Sequence, residues 1–471
     1  MRNRVETFFL TLALILSFGR TAEARDIYVR LADGESSLAI ASEGPLKLVD
    51  GAKKTHSAEK SIVLTRSGSS AVMGKTKMPL PLRISGRGLL RYKGRQYRGE
   101  FLLSRDFVLI NTLDVEDYIR GVLPAEASSK WPAEYLKVQA IISRTYGVRQ
   151  SLNRSMRGYD VGDTASDQVY KGAGVETAAT DRAVRETKGE IVTYNNGVAF
   201  TPFHSDSGGH TASNANVWGE KLPYLTGVKE PVEYESPNSS WTAKIPASQM
   251  QAALSRLGIS IGQLREVRVS ETEGGGRAVR LTLAGSAGSA EVKASRFRMA
   301  VGPNLIKSTL LTGDAPLEKS PSPTSPAAAK KTASQTPPNL DLPMSGAEEA
   351  RLTRMTVDGA FSSSELMDML LNPEKRKSYL YLGIQRSGGK TDAEAPAEDV
   401  ALPQSLPVSM PALRSGQVIA EENGFFTFRG RGWGHGVGLS QWGAQALARQ
   451  GWKAERILEY YFSGTTVKKF K

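Results

Sequence analysis

The sequence predicts an α+β fold in which mixed strands and short helices build one domain, broken late in the chain by a long, largely disordered insertion. Three observations carry that expectation: short alternating apolar segments over residues 27 to about 111, helix signals between residues 114 and 188, and a break in composition after Thr312.

In the first stretch, Phe101, Leu102 and Leu103 and then Phe107 to Ile110 are separated by glycine and charged turns, the pattern of short strands. Asp114, Glu116 and Asp117 then offer negative charge and side-chain oxygens to the free N–H groups of a helix start, and a short helix ending near Gly121 follows. Pro132 suits a first helical position, and Leu136, Ala140, Ile141 and Tyr146 keep an apolar face through Gln150. A further helix over 177–188 ends at Gly189, and Asn195, Asn196 and Gly197 mark a tight hairpin turn. Residues 245–311 read as a helix, a hairpin around the glycines at 274–276, a short helix near Arg296 and a strand-like segment over 305–311.

Residues 313 to about 342 are rich in Pro, Ser, Ala and Lys and nearly free of aromatic residues, so they bury too little apolar area to offset the entropy of ordering. An island near 360–385 has apolar periodicity, a second loose stretch follows to about 411, and strand-like, glycine-rich sequence resumes at Phe425. The chain thus divides into residues 1–24, 25–312, an insertion over 313–415, and a final part over 416–471 that returns to complete the domain.

Residues 1–24 read as a secretory signal: Arg2 and Arg4, an apolar run from Phe8 to Phe18, and a small-x-small site at Ala22, Glu23 and Ala24. The run is about half the length a helix needs to cross a bilayer, so cleavage near Ala24 and export to the periplasm or the cell wall are expected. No cysteine is present, which excludes disulfides, thiolate chemistry and cysteine metal cages. The net charge of +13 favours anionic partners, and for an exported protein those are a wall or membrane surface rather than nucleic acid.

Three segments stand out as carriers of chemistry. Glu126 follows Leu123, Pro124 and Ala125 in an expected loop leading toward Trp131, where apolar surface would favour the neutral acid that general-acid catalysis requires. The segment His204-Ser205-Asp206-Ser207-Gly208-Gly209-His210-Thr211 holds two of the four histidines. A zinc site or a Ser/His/Asp triad can be written there, but zinc normally takes three or four protein ligands and no Gly-x-Ser-x-Gly elbow exposes Ser205 or Ser207. In the third segment, glycines at 430, 432, 434, 436 and 438 alternate with Arg431, Trp433, His435 and Val437, which suits either close packing or close approach to a ligand.

Together with Tyr97-Arg98-Gly99, residues 111–126, residues 139–146 and Gln168-Val169-Tyr170, these segments resemble the SpoIID/LytB family, the stage II sporulation protein D group of peptidoglycan lytic transglycosylases. The resemblance covers roughly residues 26–312 and 424–468 and implies one SpoIID-like catalytic domain. It assigns Glu126 as the catalytic acid through a Pro-x-Glu element, matched here by Pro124, Ala125 and Glu126. Arg144, Gln168, Tyr170, His204, Ser205, Ser207, His435 and Gln441 stand beside it as candidate substrate-binding groups. Some family members look like zinc proteins using a histidine and cysteines in the loop equivalent to 204–211, and this chain has no cysteine; no metal and no cofactor are expected.

The implied activity is cleavage of the MurNAc–GlcNAc bond of glycan strands to 1,6-anhydro-MurNAc ends. One carboxyl group suffices, acting as acid and then as base, so no second catalytic carboxylate is required. The resemblance further implies that some members prefer strands free of stem peptides, which makes a peptidoglycan amidase a plausible partner. The alternative function is a non-catalytic wall-binding protein that enhances an amidase; a weaker one is a zinc amidase using His204 and His210.

Overall fold

The computed structural model describes residues 26–152, 158–313 and 414–470, with Leu352 and Leu380. The signal expected at 1–24 lies outside the described residues, as do nearly all of the insertion and its island. The described residues divide into two compact units, one drawn from Met1–Leu123, Gln139–Phe200 and Thr466–Lys471, the other from Pro124–Val138 and Thr201–Thr465.

The first unit opens with the expected short strands, gathered into a seven-stranded and a six-stranded sheet. Alternation makes them: Leu46–Val49 and the first half of Ser61–Ser67 bury every second side chain, whereas Leu109–Asp114 is buried along almost its whole length and pairs with strands on both sides. The Asn195–Gly197 turn joins Glu190–Tyr194 to Gly197–Val198, with Asn195 and Asn196 at φ 47° and 64°, as such a turn demands.

Helix α1 (Val115–Glu126) starts where Asp114 Oδ1 accepts the N–H of Glu116 at 2.8 Å. It does not end near Gly121. A Cβ at Gly121 would lie 2.4 Å from the Tyr170 ring, so this glycine admits an aromatic neighbour rather than stopping the helix. The helix therefore runs through Pro124, and Glu126 is its last residue instead of lying in a loop.

Helix α2 (Ala133–Leu152) carries Arg144, which is 1% exposed. Its Nε and Nη2 donate to the two carboxylate oxygens of Glu116 at 2.9 and 2.7 Å, and Nη1 to the Glu190 carbonyl at 3.1 Å. A buried guanidinium persists only when so paired. Gln168 donates to the Ser143 carbonyl at 3.2 Å, and the buried Tyr170 hydroxyl donates to Asn111 Oδ1 at 2.8 Å. Arg144, Gln168 and Tyr170 are thus corrected from candidate substrate groups to framework of the first unit, because each is buried and bonds within that unit. Helix α3 (Ala178–Glu186) is capped by Thr177, whose hydroxyl accepts the N–H of Thr180.

The second unit is organised by a six-stranded sheet in the order Trp241–Pro246, Phe425–Gly430, Val418–Glu422, Leu264–Thr272, Ala278–Gly285, Gly288–Lys293. The two strands that follow the insertion sit inside this sheet, so sequence more than 100 residues apart is joined by backbone pairing. Phe426, Phe428, Leu281, Met250 and Phe297 fill its core. Helix α4 (Asn214–Val217) is a single turn, while α5 (Ala247–Leu257) and α6 (Ala294–Val301) contribute Met250 and Phe297 to that core. The strand expected over 305–311 is absent apart from a bridge at Leu311. Arg298 explains this: its guanidinium takes the carbonyls of Pro303, Ile306 and Lys307 at 3.3, 2.9 and 3.1 Å, removing acceptors a strand needs.

Arg144→Ala leaves the Glu116 carboxylate without its main partner and is expected to cost about 3 kcal/mol, the low end for a broken buried pair because Glu116 keeps some solvent contact. Urea unfolding measures it, and an unchanged midpoint contradicts the framework role.

Candidate active site

Glu126, half-buried at the end of α1, lies in the segment Pro124–Val138 of the second unit. Beyond it the chain turns tightly, with the Trp131 N–H on the Ser128 carbonyl at 3.0 Å. Gln441, the first residue of α7 (Gln441–Arg449), donates its side-chain amide to the Glu126 carbonyl at 3.2 Å. Trp442 meets Trp131 edge-to-face at 5.2 Å, and Trp131 meets Tyr135 in the same way at 4.8 Å. Glu134 Oε2 accepts the N–H of Ala454, the first residue of α8 (Ala454–Tyr461), at 2.9 Å. The acid is therefore held against the C-terminal segment by an amide, an aromatic pair and a helix cap. Burial, with the charge of Glu126 adding to it, raises the Tyr135 hydroxyl well above the usual tyrosine range.

The loop over 204–211 is tied to the same segment. Phe203–His204 pairs in parallel with Leu439–Ser440, and the Trp442 N–H donates to the Ser205 carbonyl at 3.1 Å. The glycines over 430–438 serve this packing: a Cβ at Gly432 would lie 2.6 Å from the Asp206 carbonyl oxygen, and one at Gly434 would lie 2.6 Å from His204 Cβ. Their φ values, 76° and 125°, also favour glycine. Close approach is thus required by the loop 204–211 itself.

His435 Nδ1 accepts the Val437 N–H at 3.1 Å, so its Nε2 carries the hydrogen donated to the Phe203 carbonyl at 3.0 Å. His204 Nδ1 faces the Val437 carbonyl at 3.2 Å and must be the protonated nitrogen. Burial pushes His435 down to about 4 and His204 well below the usual histidine range. Both rings are neutral and stitch the ribbon to the loop. Ser207 is fully buried, its Oγ accepting the Gly209 N–H at 2.9 Å, so it too faces the interior. Ser205 is half-buried.

Among the described residues no three His, Asp or Glu side chains converge as metal ligands. His210 Nδ1 contacts the Thr211 carbonyl at 2.8 Å and His204 Nδ1 faces Val437, while His204 Nε2 is buried with no hydrogen-bond partner.

Sequence reading missed the groups that hold the loop in place. Arg277, 1% exposed, donates through Nη2 to the carbonyls of Ser207 and His210 at 2.5 and 2.9 Å. Burial lowers its pKa to about 10. Glu230 is buried and accepts from the Tyr234 and Tyr461 hydroxyls, each at 2.6 Å; burial raises its pKa. Nothing in the sequence marks these positions, because each lies far along the chain from the loop it supports.

With its folded pKa depressed from 6.5 to about 4, neutral His435 contributes stability above pH 6.5 that is lost as pH falls toward 4. His435→Gln is expected to flatten that decline in unfolding experiments; an identical slope contradicts the neutral tautomer.

Residues 104–194, which include Glu126, match the family model described as stage II sporulation protein. The chain is 30% identical to an uncharacterized protein of Brachyspira hyodysenteriae over 223 residues, 46% of this chain and 59% of that protein. It is 24% identical to the amidase enhancer of Bacillus subtilis over 359 residues, 74% of this chain and 40% of the enhancer. With the stage II sporulation protein D of Bacillus subtilis it shares 34% identity over 161 residues, 31% of this chain and 47% of that protein. The chain spans about half the length of these curated relatives. Joined to the motifs around Glu126, the family match over residues 104–194 and these relatives make the chain similar to SpoIID/LytB proteins.

Proposed function

We propose that the protein is an exported lytic transglycosylase of peptidoglycan glycan strands, released by cleavage near Ala24, with Glu126 as its catalytic acid and base. The observation that supports this reading is the setting of Glu126: it ends α1, Gln441 holds its backbone carbonyl, and the Trp131–Trp442 pair supplies aromatic surface of the kind sugar rings pack against.

In this mechanism the Glu126 carboxyl gives its proton to the glycosidic oxygen leaving C1 of MurNAc, and the C1–O bond breaks. The resulting carboxylate takes the proton of the C6 hydroxyl of the same sugar as O6 attacks C1. The proton count closes on Glu126 and no water is consumed. Ser205, whose carbonyl receives the Trp442 N–H, Gln441 beside that tryptophan, and His204, whose Nε2 is buried with no hydrogen-bond partner, stay as substrate-positioning candidates.

A second reading has its own support: the matched relative that covers most of this chain bears the name amidase enhancer. On that reading the protein binds wall polymer and stimulates an amidase without cleaving the strand.

Digestion of purified peptidoglycan and of peptide-free glycan separates the two. Wild type is expected to yield anhydro-muramyl ends, and Glu126→Gln to lose at least about 100-fold in rate. Equal product from Glu126→Gln overturns the role of Glu126, and binding without anhydro product in wild type favours the enhancer. Trp442→Ala is expected to weaken binding of the glycan by about tenfold, roughly 1.4 kcal/mol, read by titration with peptide-free strands; unchanged affinity removes the aromatic pair from the substrate surface.

A further inference from the structure

Helix α8 carries a feature that the chemistry at Glu126 does not use. Helix α7 closes on a left-handed glycine: Gly451, at φ 85°, donates its N–H to the Ala448 carbonyl at 3.0 Å, and the Trp452 N–H donates to the Leu447 carbonyl at 3.1 Å. That closure sets the Trp452 indole just ahead of α8. Trp452, Arg456 and Tyr460 then recur every fourth residue and line one face, while Ile457, Leu458 and Tyr461 are buried in the core.

The guanidinium carbon of Arg456 lies 3.7 Å from the centroid of the Trp452 ring, and Tyr460 meets the same indole edge-on at 5.7 Å and 90°. Attraction between a cation and a ring face occupies none of the guanidinium's N–H groups. Arg456 is exposed, and among the described residues those N–H groups reach no carboxylate and no carbonyl. Glu459, one turn along α8, forms no ion pair with it, and Glu134 is taken by Lys137, Lys453 and the Ala454 N–H. A cation held in place by an aromatic ring with its donors unused is prepared for a carboxylate, which accepts two parallel N–H bonds from a guanidinium.

Two contacts join this face to the candidate active site. The start of α8 is capped by Glu134, three residues past Trp131. On the other side the Tyr460 hydroxyl donates to the Lys229 carbonyl, and Lys229 bridges to His210 in the loop over 204–211.

We propose that Arg456 is a substrate-binding residue that takes the lactyl carboxylate of a muramyl unit further along the strand that Glu126 cleaves. Trp452 fixes its guanidinium, and Tyr460 offers ring surface to the sugar. The inference rests on the reading of the substrate as a muramyl glycan. The lactyl carboxylate is charged where no stem peptide is attached and becomes an uncharged amide where one is, so this contact distinguishes the two kinds of unit.

Binding to the full chain carrying Glu126→Gln, in which cleavage is expected to be lost, is measured with peptide-free glycan and with the same glycan after reduction of its carboxyl groups to alcohols. The unreduced strand is expected to bind at least about tenfold more tightly, the lower range for hydrogen bonds to a charged group. Adding Arg456→Gln is expected to erase that difference by lowering affinity for the unreduced strand alone. Arg265→Gln, which removes the same charge from an exposed position on the strand Leu264–Thr272, is expected to keep it. Equal binding of the two strands before Arg456 is changed, a difference that survives Arg456→Gln, or an equal loss from Arg265→Gln overturns the proposal. So does an equally Arg456-dependent affinity for polyglutamate, which points to an acidic protein partner. Anhydro ends released by wild type beside any of these results leave the cleavage reading intact, whereas failure to bind either strand removes the substrate class and the carboxylate contact together.

Discussion

The buried guanidinium of Arg277 is the constraint on which the second unit's loop depends. A cation in so little solvent persists only with acceptors at hand, and here Nη2 finds the carbonyls of Ser207 and His210. Those bonds fix the loop over 204–211, whose Ser205 carbonyl receives the Trp442 N–H. Trp442 adjoins Gln441, which holds the last residue of α1. The position of Glu126 is therefore the end of a chain of contacts that begins with one buried arginine just before the strand Ala278–Gly285.

The buried acids beneath the loop follow the same logic. Tyr234 lies 2.6 Å from Glu230 and 2.9 Å from Asp206, yet its hydroxyl has one hydrogen and can donate to one carboxylate. The hydroxyl donates to Glu230, whose pKa burial raises. Asp206 accepts instead from the Gly208 N–H at 2.8 Å and from Ser236. These buried acids act as fasteners, held by hydroxyl and amide donors of the protein itself.

The sequence made local structure legible where pattern and chemistry are local. The strand alternation before Asn111, the capping Thr177 and the Asn195-Asn196 turn all depend on neighbours a few residues away. It misled where a distant side chain overrides the local signal: Gly121 looked like a helix end until Tyr170 explained its missing Cβ, and residues 305–311 looked like a strand until Arg298 claimed their carbonyls. The motifs around Glu126, His204 and Gly432 were legible as unusual, but their division of labour was not. Arg144 and Tyr170 share a motif-rich stretch with Glu126, and only burial distinguishes a structural arginine from one that meets a sugar. Arg277 and Glu230 had no signal, since their importance lies in contacts across the fold.

The central proposal is that one carboxyl group gives a proton to the leaving sugar oxygen, takes one from the muramyl C6 hydroxyl, and admits no water. Digestion of peptide-free glycan in ¹⁸O-water measures this directly, by mass spectrometry of the newly formed muramyl ends. The account predicts anhydro ends free of the heavy isotope; ¹⁸O at C1 of a reducing muramic acid contradicts it.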